Sequence, residues 1–275
     1  MAVINTNVAA TLTANALTKN ERALTQSMER LATGSRINKA GDDAAGLAVA
    51  SSMTAQIRGL DMAAKNANDA ISMIQTADGA TIEIGNMLQR MRELAVQAAN
   101  GTYVDTDLDA LDTEFQQLIE EIERVADQTQ FNGSNIIDNS IGATGVVTYQ
   151  VGADASQTMT VDFGDLQTAG DLLVSTLDVQ DATNAAAAIT AIDTGLNTLN
   201  TQRATYGAAI NRLEYTVDNL NNVSTNTQAS RSRIQDADYA SESTALASSQ
   251  IIQQAGTAML AQANQQAQSV LALLK

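Results

Sequence analysis

AAGLAVASSMTAQIRGLDMAAKNANDAISMIQTADGATIEIGNMLQRMRELAVQAA, residues 44–99, contains no proline, and its apolar residues step by threes and fours. Met53, Ile57, Leu60, Ala64, Ala67, Ile71 and Ile74 make one seam, continued by Ile84, Met87, Met91, Leu94 and Ala98. This spacing collects apolar side chains on one face of an α-helix. It predicts a helix from Ala44 to about Ala99, stopped by Asn100-Gly101. At 1.5 Å per residue such a helix extends about 85 Å, far beyond an ordinary globular helix. The seam changes phase near Asp78-Gly79, which implies drift or a switch of partner face.

The rest of the chain extends the pattern. No proline occurs in 275 residues, where average usage would give roughly fourteen, so the chief breaker of long helices is missing. Near the N-terminus the heptad series is Val3, Asn7, Ala10, Ala14, Leu17, Glu21, Leu24, Met28, Leu31. Near the C-terminus it is Ala245, Ser249, Ile252, Gly256, Met259, Ala263, Gln266, Val270, Leu273. Both ends therefore read as coiled-coil strands that seek helical partners. The first helix is expected over Ile4 to Thr33, capped by Gly34. A linker, Ser35 to Gly41, leads to Asp42 and Asp43 as N-cap and first-turn carboxylates. A third helix has Asp105 and Thr106 as cap candidates and a seam of Leu108, Leu111, Phe115, Leu118, Ile122, Val125.

Past Gln130 the helical period fails. Phe131-Asn132-Gly133-Ser134 is turn chemistry. Val146–Val151 and Thr158–Phe163 alternate, with Met159, Val161 and Phe163 on one face and Gly152 to Ser156 as the hairpin connection. Helix resumes from Asp181 to about Ser230 along Ile189, Ile192, Leu196, Leu199, Arg203, Tyr206, Ile210, Leu213, Val217 and Leu220. A break at Arg231 to Asp238 precedes the last helix.

The fold expected is mainly α: a long antiparallel helical, coiled-coil bundle with a two-helix terminal spoke and a small central β-hairpin excursion. Residues 1–34 and 235–275 form the terminal coiled coil, 35–130 and 178–234 a helical rod, and 131–177 a short β-containing part. The spoke seam is rich in Ala, Ser, Gly, Asn and Gln, so the pair buries little apolar area and is expected to order against copies of itself.

Composition excludes whole classes of chemistry. The chain has no His, Cys or Trp, so the usual general base, thiol nucleophile and zinc ligands are missing and no cofactor or metal is expected. A net charge of −16 with only 15 scattered Lys and Arg argues against nucleic acid. No run of 18 apolar residues exists, so no membrane insertion is expected. Met1 to Asn7 lacks the basic region and apolar core of a Sec-type signal peptide.

Four stretches carry a family resemblance. They are Gln26-Ser-Met-Glu-Arg-Leu-Ala-Thr-Gly-Ser-Arg-Ile-Asn-Lys-Ala-Gly-Asp-Asp-Ala-Ala-Gly-Leu47, Leu88-Gln-Arg-Met-Arg-Glu-Leu-Ala-Val-Gln-Ala-Ala-Asn-Gly101, Phe131-Asn-Gly133, and Ile251-Ile-Gln-Gln-Ala-Gly-Thr-Ala-Met-Leu-Ala-Gln-Ala-Asn-Gln265 running on to Leu273-Leu-Lys275. Over residues 1–138 and 181–275 the chain closely resembles bacterial flagellin, in a short form without large outer domains. The resemblance implies a non-enzymatic structural subunit that polymerises into the hollow flagellar filament for swimming motility. It implies export through the flagellar type III apparatus to an extracellular location, and as partners further copies of the chain, an export chaperone on the C-terminal helix, and cap and junction proteins. Leu17, Leu24, Leu31, Ile252, Met259 and Val270 are then the expected inner-tube packing residues, with Asn7, Gln262 and Gln266 giving polar register between copies. In many flagellins the segment matching Leu88 to Val96 is read by a Toll-like innate receptor. The matching residues here are Arg90, Leu94 and Glu114, a face that in the filament should meet neighbouring subunits. Ala267 and Lys275 depart from the proline and arginine common in the family at those positions.

Other motifs dissolve on inspection. Asp105-Thr-Asp-Leu-Asp109 starts like a calcium loop, but Ala110 stands where glycine is needed and Gln116 where the bidentate glutamate belongs. A metalloprotease insertion needs a His-Glu-x-x-His helix, which a chain without His cannot supply. A chemoreceptor-type hairpin would place a signalling tip where this chain has a β excursion. The nearer alternative is a flagellar hook–filament junction protein, which shares the terminal helices.

Overall fold

The computed structural model describes residues 7–142 and 144–272, with side chains of the last helix described as far as Gln265. Val3 and Leu273 of the expected seams and Ile4, the expected start of the first helix, lie outside these residues, as do the side chains of Gln266 and Val270. Five helices and two short hairpins follow in the order α1 (Val8–Thr33), α2 (Ala44–Ala98), α3 (Asp105–Gln128), β1 (Gln130–Phe131), β2 (Ser134–Asn135), β3 (Val146–Gln150), β4 (Thr158–Asp162), α4 (Ala182–Gln235) and α5 (Tyr239–Ala272). They belong to two compact units, residues 1–55 with 226–275, and residues 56–225.

Local chemistry sets the boundaries. Asn7 caps α1 by accepting the Ala10 N–H at 3.1 Å, and Gly34 ends it in the left-handed conformation, φ 70°, its N–H reaching Arg30 O. Asp43 accepts the Gly46 N–H at 2.8 Å at the head of α2. Asp42 instead holds the linker, accepting the Asn38 and Lys39 N–H groups. Asp181 accepts the N–H groups of Thr183 and Asn184 to open α4. At α3 the expectation of a side-chain cap is not met: Val104 occupies the cap position, and Asp105 and Asp107 sit in the first turn, where their charge favours the helix dipole.

Residues 56–225 contain the large core. From Leu60 one buried series of α2 runs 60, 63, 67, 70, 74, 77, 81, 84, 88, 91, 95 and 98, with Met73 and Leu94 buried beside it. That is an unbroken alternation of threes and fours, so the expected phase change near Asp78-Gly79 does not occur. Thr81 hid the continuity: it is fully buried, with its hydroxyl donating to Asp78 O at 2.7 Å. A polar residue that satisfies its hydroxyl on its own helix serves as a core residue.

In α3 the deepest positions are Leu108, Asp112, Phe115, Ile119, Ile122 and Ala126. Leu111, Leu118 and Val125, placed on the seam from sequence, flank it half-buried. The α4 seam follows the expected register through Ile192, Leu199, Tyr206, Leu213 and Leu220, but α4 runs on to Gln235. The break expected over Arg231–Asp238 shrinks to Asp236–Asp238, because no proline or glycine interrupts the preceding residues.

The excursion forms as alternation predicts. Strands β3 and β4 pair antiparallel from Val146 opposite Asp162 to Gln150 opposite Thr158, and Met159, Val161 and Phe163 are buried. The hairpin lies along α2. The Tyr149 hydroxyl donates to Met73 Sδ at 2.9 Å, Asn66 Nδ2 donates to Gln150 O at 3.1 Å, and Ala153 packs on Gly59. Asn132 (φ 51°) and Gly133 (φ 82°) supply the two left-handed residues that a tight two-residue hairpin between β1 and β2 requires.

Candidate functional site

Two surfaces were expected to carry function, one in each unit. The first is the helix pair α1/α5. Its helices run antiparallel in one register, with polar links along their length. Asn7 Nδ2 donates to Ala263 O at 3.2 Å and Asn20 Nδ2 to Ser249 O at 2.7 Å. Ser27 Oγ donates to Glu242 at 2.9 Å, Arg30 pairs with the other oxygen of Glu242 at 2.8 Å, and the Tyr239 hydroxyl reaches Leu31 O at 3.1 Å. Asn7 thus makes a polar link within the chain. Below the pair, Arg36 N–H donates to Gln235 O and Ala237 N–H to Gly34 O, closing the unit with a short bridge.

The seam of the pair differs from the sequence reading by one helical position in every heptad. On α1 the inward residues are Ala10, Thr13, Leu17, Asn20, Leu24, Ser27 and Leu31, while Ala14, Glu21 and Met28 face outward. On α5 they are Glu242, Leu246, Ser249, Gln253, Gly256, Leu260 and Ala263, while Ala245, Ile252 and Met259 face outward. The cause is a choice between two apolar stripes. α5 carries both Leu246/Leu260 and Ile252/Met259, and the pair uses the first. Leu17, Leu24 and Leu31 therefore pack inside the pair. Ile252 and Met259 stand 53% and 60% exposed, and Val8, Leu12, Met28 and Ile251 are exposed as well.

Electrostatics concentrate at the foot of the pair. The hydrogen bond from Arg30 holds the Glu242 carboxyl below its ordinary range, and Ser27 adds to this against the opposing effect of burial. Glu242 was not singled out from sequence. One carboxylate on an α5 seam otherwise made of uncharged residues was the signal available.

The second surface lies on α2 and α3. Arg90 Nε and Nη2 donate to the same Glu114 oxygen at 2.9 and 2.8 Å, and Nη1 donates to Glu93 at 3.0 Å. These two carboxylates hold the guanidinium protonated, with Glu114 the stronger influence. Arg90 and Glu114 are brought together on open surface; Leu94 is not part of it. At 1% exposure, Leu94 is a core residue, because the α2 seam turns it inward. Nearby, Arg92 pairs with Asp193 of α4 at 2.7 Å and lowers the pKa of that carboxyl.

Sequence reasoning also passed over Asp112, which is buried in α3. It accepts the N–H of Val179 at 3.1 Å and the side-chain amides of Gln180 and Gln116. With Glu123, which accepts both the amide and the hydroxyl of Thr168, it holds the segment before α4 against α3. Among the described residues there is no cluster of acidic side chains placed to hold a metal, and no helix long and apolar enough to cross a membrane.

Comparison with known proteins agrees with this geometry. Residues 4–141 match the family model of the bacterial flagellin N-terminal helical region, and residues 189–274 that of the C-terminal helical region. A flagellin of Halalkalibacterium halodurans is 50% identical over 91% of both chains, and one of Bacillus subtilis is 42% identical over 99% of both. The crystal structure of Bacillus cereus flagellin superposes with a TM-score of 0.50 at 40% identity, covering 57% of this chain and 88% of that one. With both helical regions matched and relatives alike from end to end, this chain belongs to the bacterial flagellin family.

Proposed function

We propose that the chain is the subunit of the bacterial flagellar filament, a structural protein whose terminal helix pair packs against copies of itself. The observation that carries the reading is the set of large apolar side chains left exposed on that pair: Leu12, Met28, Ile251, Ile252 and Met259. A water-facing helix pair has no use for so many exposed large apolar side chains unless other helices cover them. Leu17, Leu24 and Leu31 then hold the pair itself. Ile252 and Met259, with Val270 beyond the described side chains, make contacts between copies in the inner tube. The pair's seam is thin in large apolar groups, so its ordering is coupled to joining the growing end. The same reading brings an exterior location, type III export, a chaperone on the C-terminal helix, and cap and junction proteins.

Electron microscopy before and after adding short filament seeds tests this. Long uniform tubes are the expected result. Persistent monomers or short capped ends would move the assignment to a junction protein.

A second reading is favoured by one observation: Arg90 and Glu114 form an ion pair on open surface of residues 56–225. Recognition of the monomer by a Toll-like receptor would use these two, with Leu94 supporting the helix from beneath. Undiminished receptor signalling by R90A protein would refute it.

A further inference from the structure

We infer that the register of the α1/α5 pair is set by one clasp at its foot, with Glu242 as the positioning residue, and not by the seam above it. The seam repeats. Leu17, Leu24 and Leu31 are seven residues apart on α1, and Ser249, Gly256 and Ala263 are seven apart on α5. The observed links put Leu24 level with Leu246 and Leu17 level with Gln253. A shift of one heptad would put Leu31 against Leu246 and Leu17 against Leu260. The shifted pair is at least as apolar, so burial alone does not select the native register.

The asparagine links do not select it either. Asn7 and Asn20 donate to backbone carbonyls, and Ser249, Gly256 and Ala263 are all small, so a one-heptad shift offers Asn20 an equivalent carbonyl at Gly256. Links at the foot between Arg36 and Gln235, Ala237 and Gly34, and Tyr239 and Leu31 also occur once, but they use backbone carbonyls; the clasp differs in placing charge on the seam itself. Both Glu242 oxygens are used, one by Ser27 Oγ and one by Arg30 Nη1, and the Arg30 and Glu242 side chains are only 24% and 13% exposed. One heptad of displacement moves the helices about 10 Å along each other and leaves both charges without partners. An unpaired, largely buried charge is strongly unfavourable. Arg30 Nε is buried with no acceptor even in the native register. The cluster therefore does not maximise hydrogen bonding; it discriminates between registers, as single polar groups do in coiled-coil seams.

Because the chain has no cysteine, pairs of introduced cysteines report register directly, whether or not the protein polymerises. L24C/L246C reports the native register and L31C/L246C the one-heptad shift, since a disulfide does not span a separation of about 10 Å. Each pair is made in the full chain with Glu242, with E242Q and with E242L, oxidised, and quantified by peptide mass spectrometry. With Glu242, the shifted disulfide should form at under a tenth of the native yield. In both variants it should rise at least fivefold. E242L separates register from stability, because leucine restores apolar burial while removing the selection. A shifted yield that stays low in both variants overturns the inference. So does a loss of helix content with the native disulfide still dominant, which would make the clasp a source of stability alone.

Discussion

Single residues show best where polar chemistry is enclosed by packing. The Tyr206 hydroxyl donates to Phe163 O at 2.6 Å inside the core, and its ring meets Phe163 at a centroid distance of 5.8 Å. Burial raises the pKa of this phenol, and it also raises that of Tyr149 to about 12. Tyr206→Phe keeps the ring but strands a buried carbonyl, so it should cost about 1–3 kcal/mol in denaturant unfolding. Glu242 makes a prediction in pH. Its folded pKa lies below the ordinary value of 4.5, so its carboxylate contributes stability above that value and loses it as pH falls through the lowered one. The difference in thermal midpoint between the native chain and E242Q should therefore shrink below about pH 4, read by circular dichroism. Tyr206 was legible as a seam residue. Glu242 and Asp112 were not, since a carboxylate in a heptad reads as solvent-facing until the opposing donors are known.

Helices and strands were legible wherever a period ran long enough. Strands β3 and β4 and all five helices follow from spacing and turn residues alone. What misled was a polar residue standing at a core position. Thr81 made a continuous seam look broken, and two competing stripes on α5 made the outward one look like the seam. Both errors arise because hydropathy marks which side chains avoid water, while neighbouring elements decide which stripe is covered. Contact between elements also explains Gly59, whose absent Cβ would lie 3.1 Å from Ala153 Cβ and 3.4 Å from its Cα. Gly59→Leu should lift the hairpin from α2. Amide hydrogen exchange across Val146–Asp162 should then speed up at least tenfold, while α3 amides are unchanged.

For the whole chain, the two compact units predict separable roles. The large core lies within residues 67–217, so deleting residues 235–275 should leave a soluble protein with a cooperative thermal transition and no capacity to form filaments. Filaments from the truncated chain, seen by electron microscopy, would refute the role given to the terminal pair. L94A tests the other unit, where a fully enclosed leucine exchanged for alanine should cost about 2–5 kcal/mol. Spacing and residue inventory alone place most of the chain in helices, locate most helix ends, and rule out chemistry that needs His or Cys. Those properties reside in local spacing, capping groups and residue inventory, which need no partner to be read. Packing selects which stripe of α5 is covered, buries Leu94 in the core while Arg90 and Glu114 meet on the surface, and closes Glu242 on Arg30. Each of these depends on groups far apart in the chain, brought together by packing that no local pattern encodes.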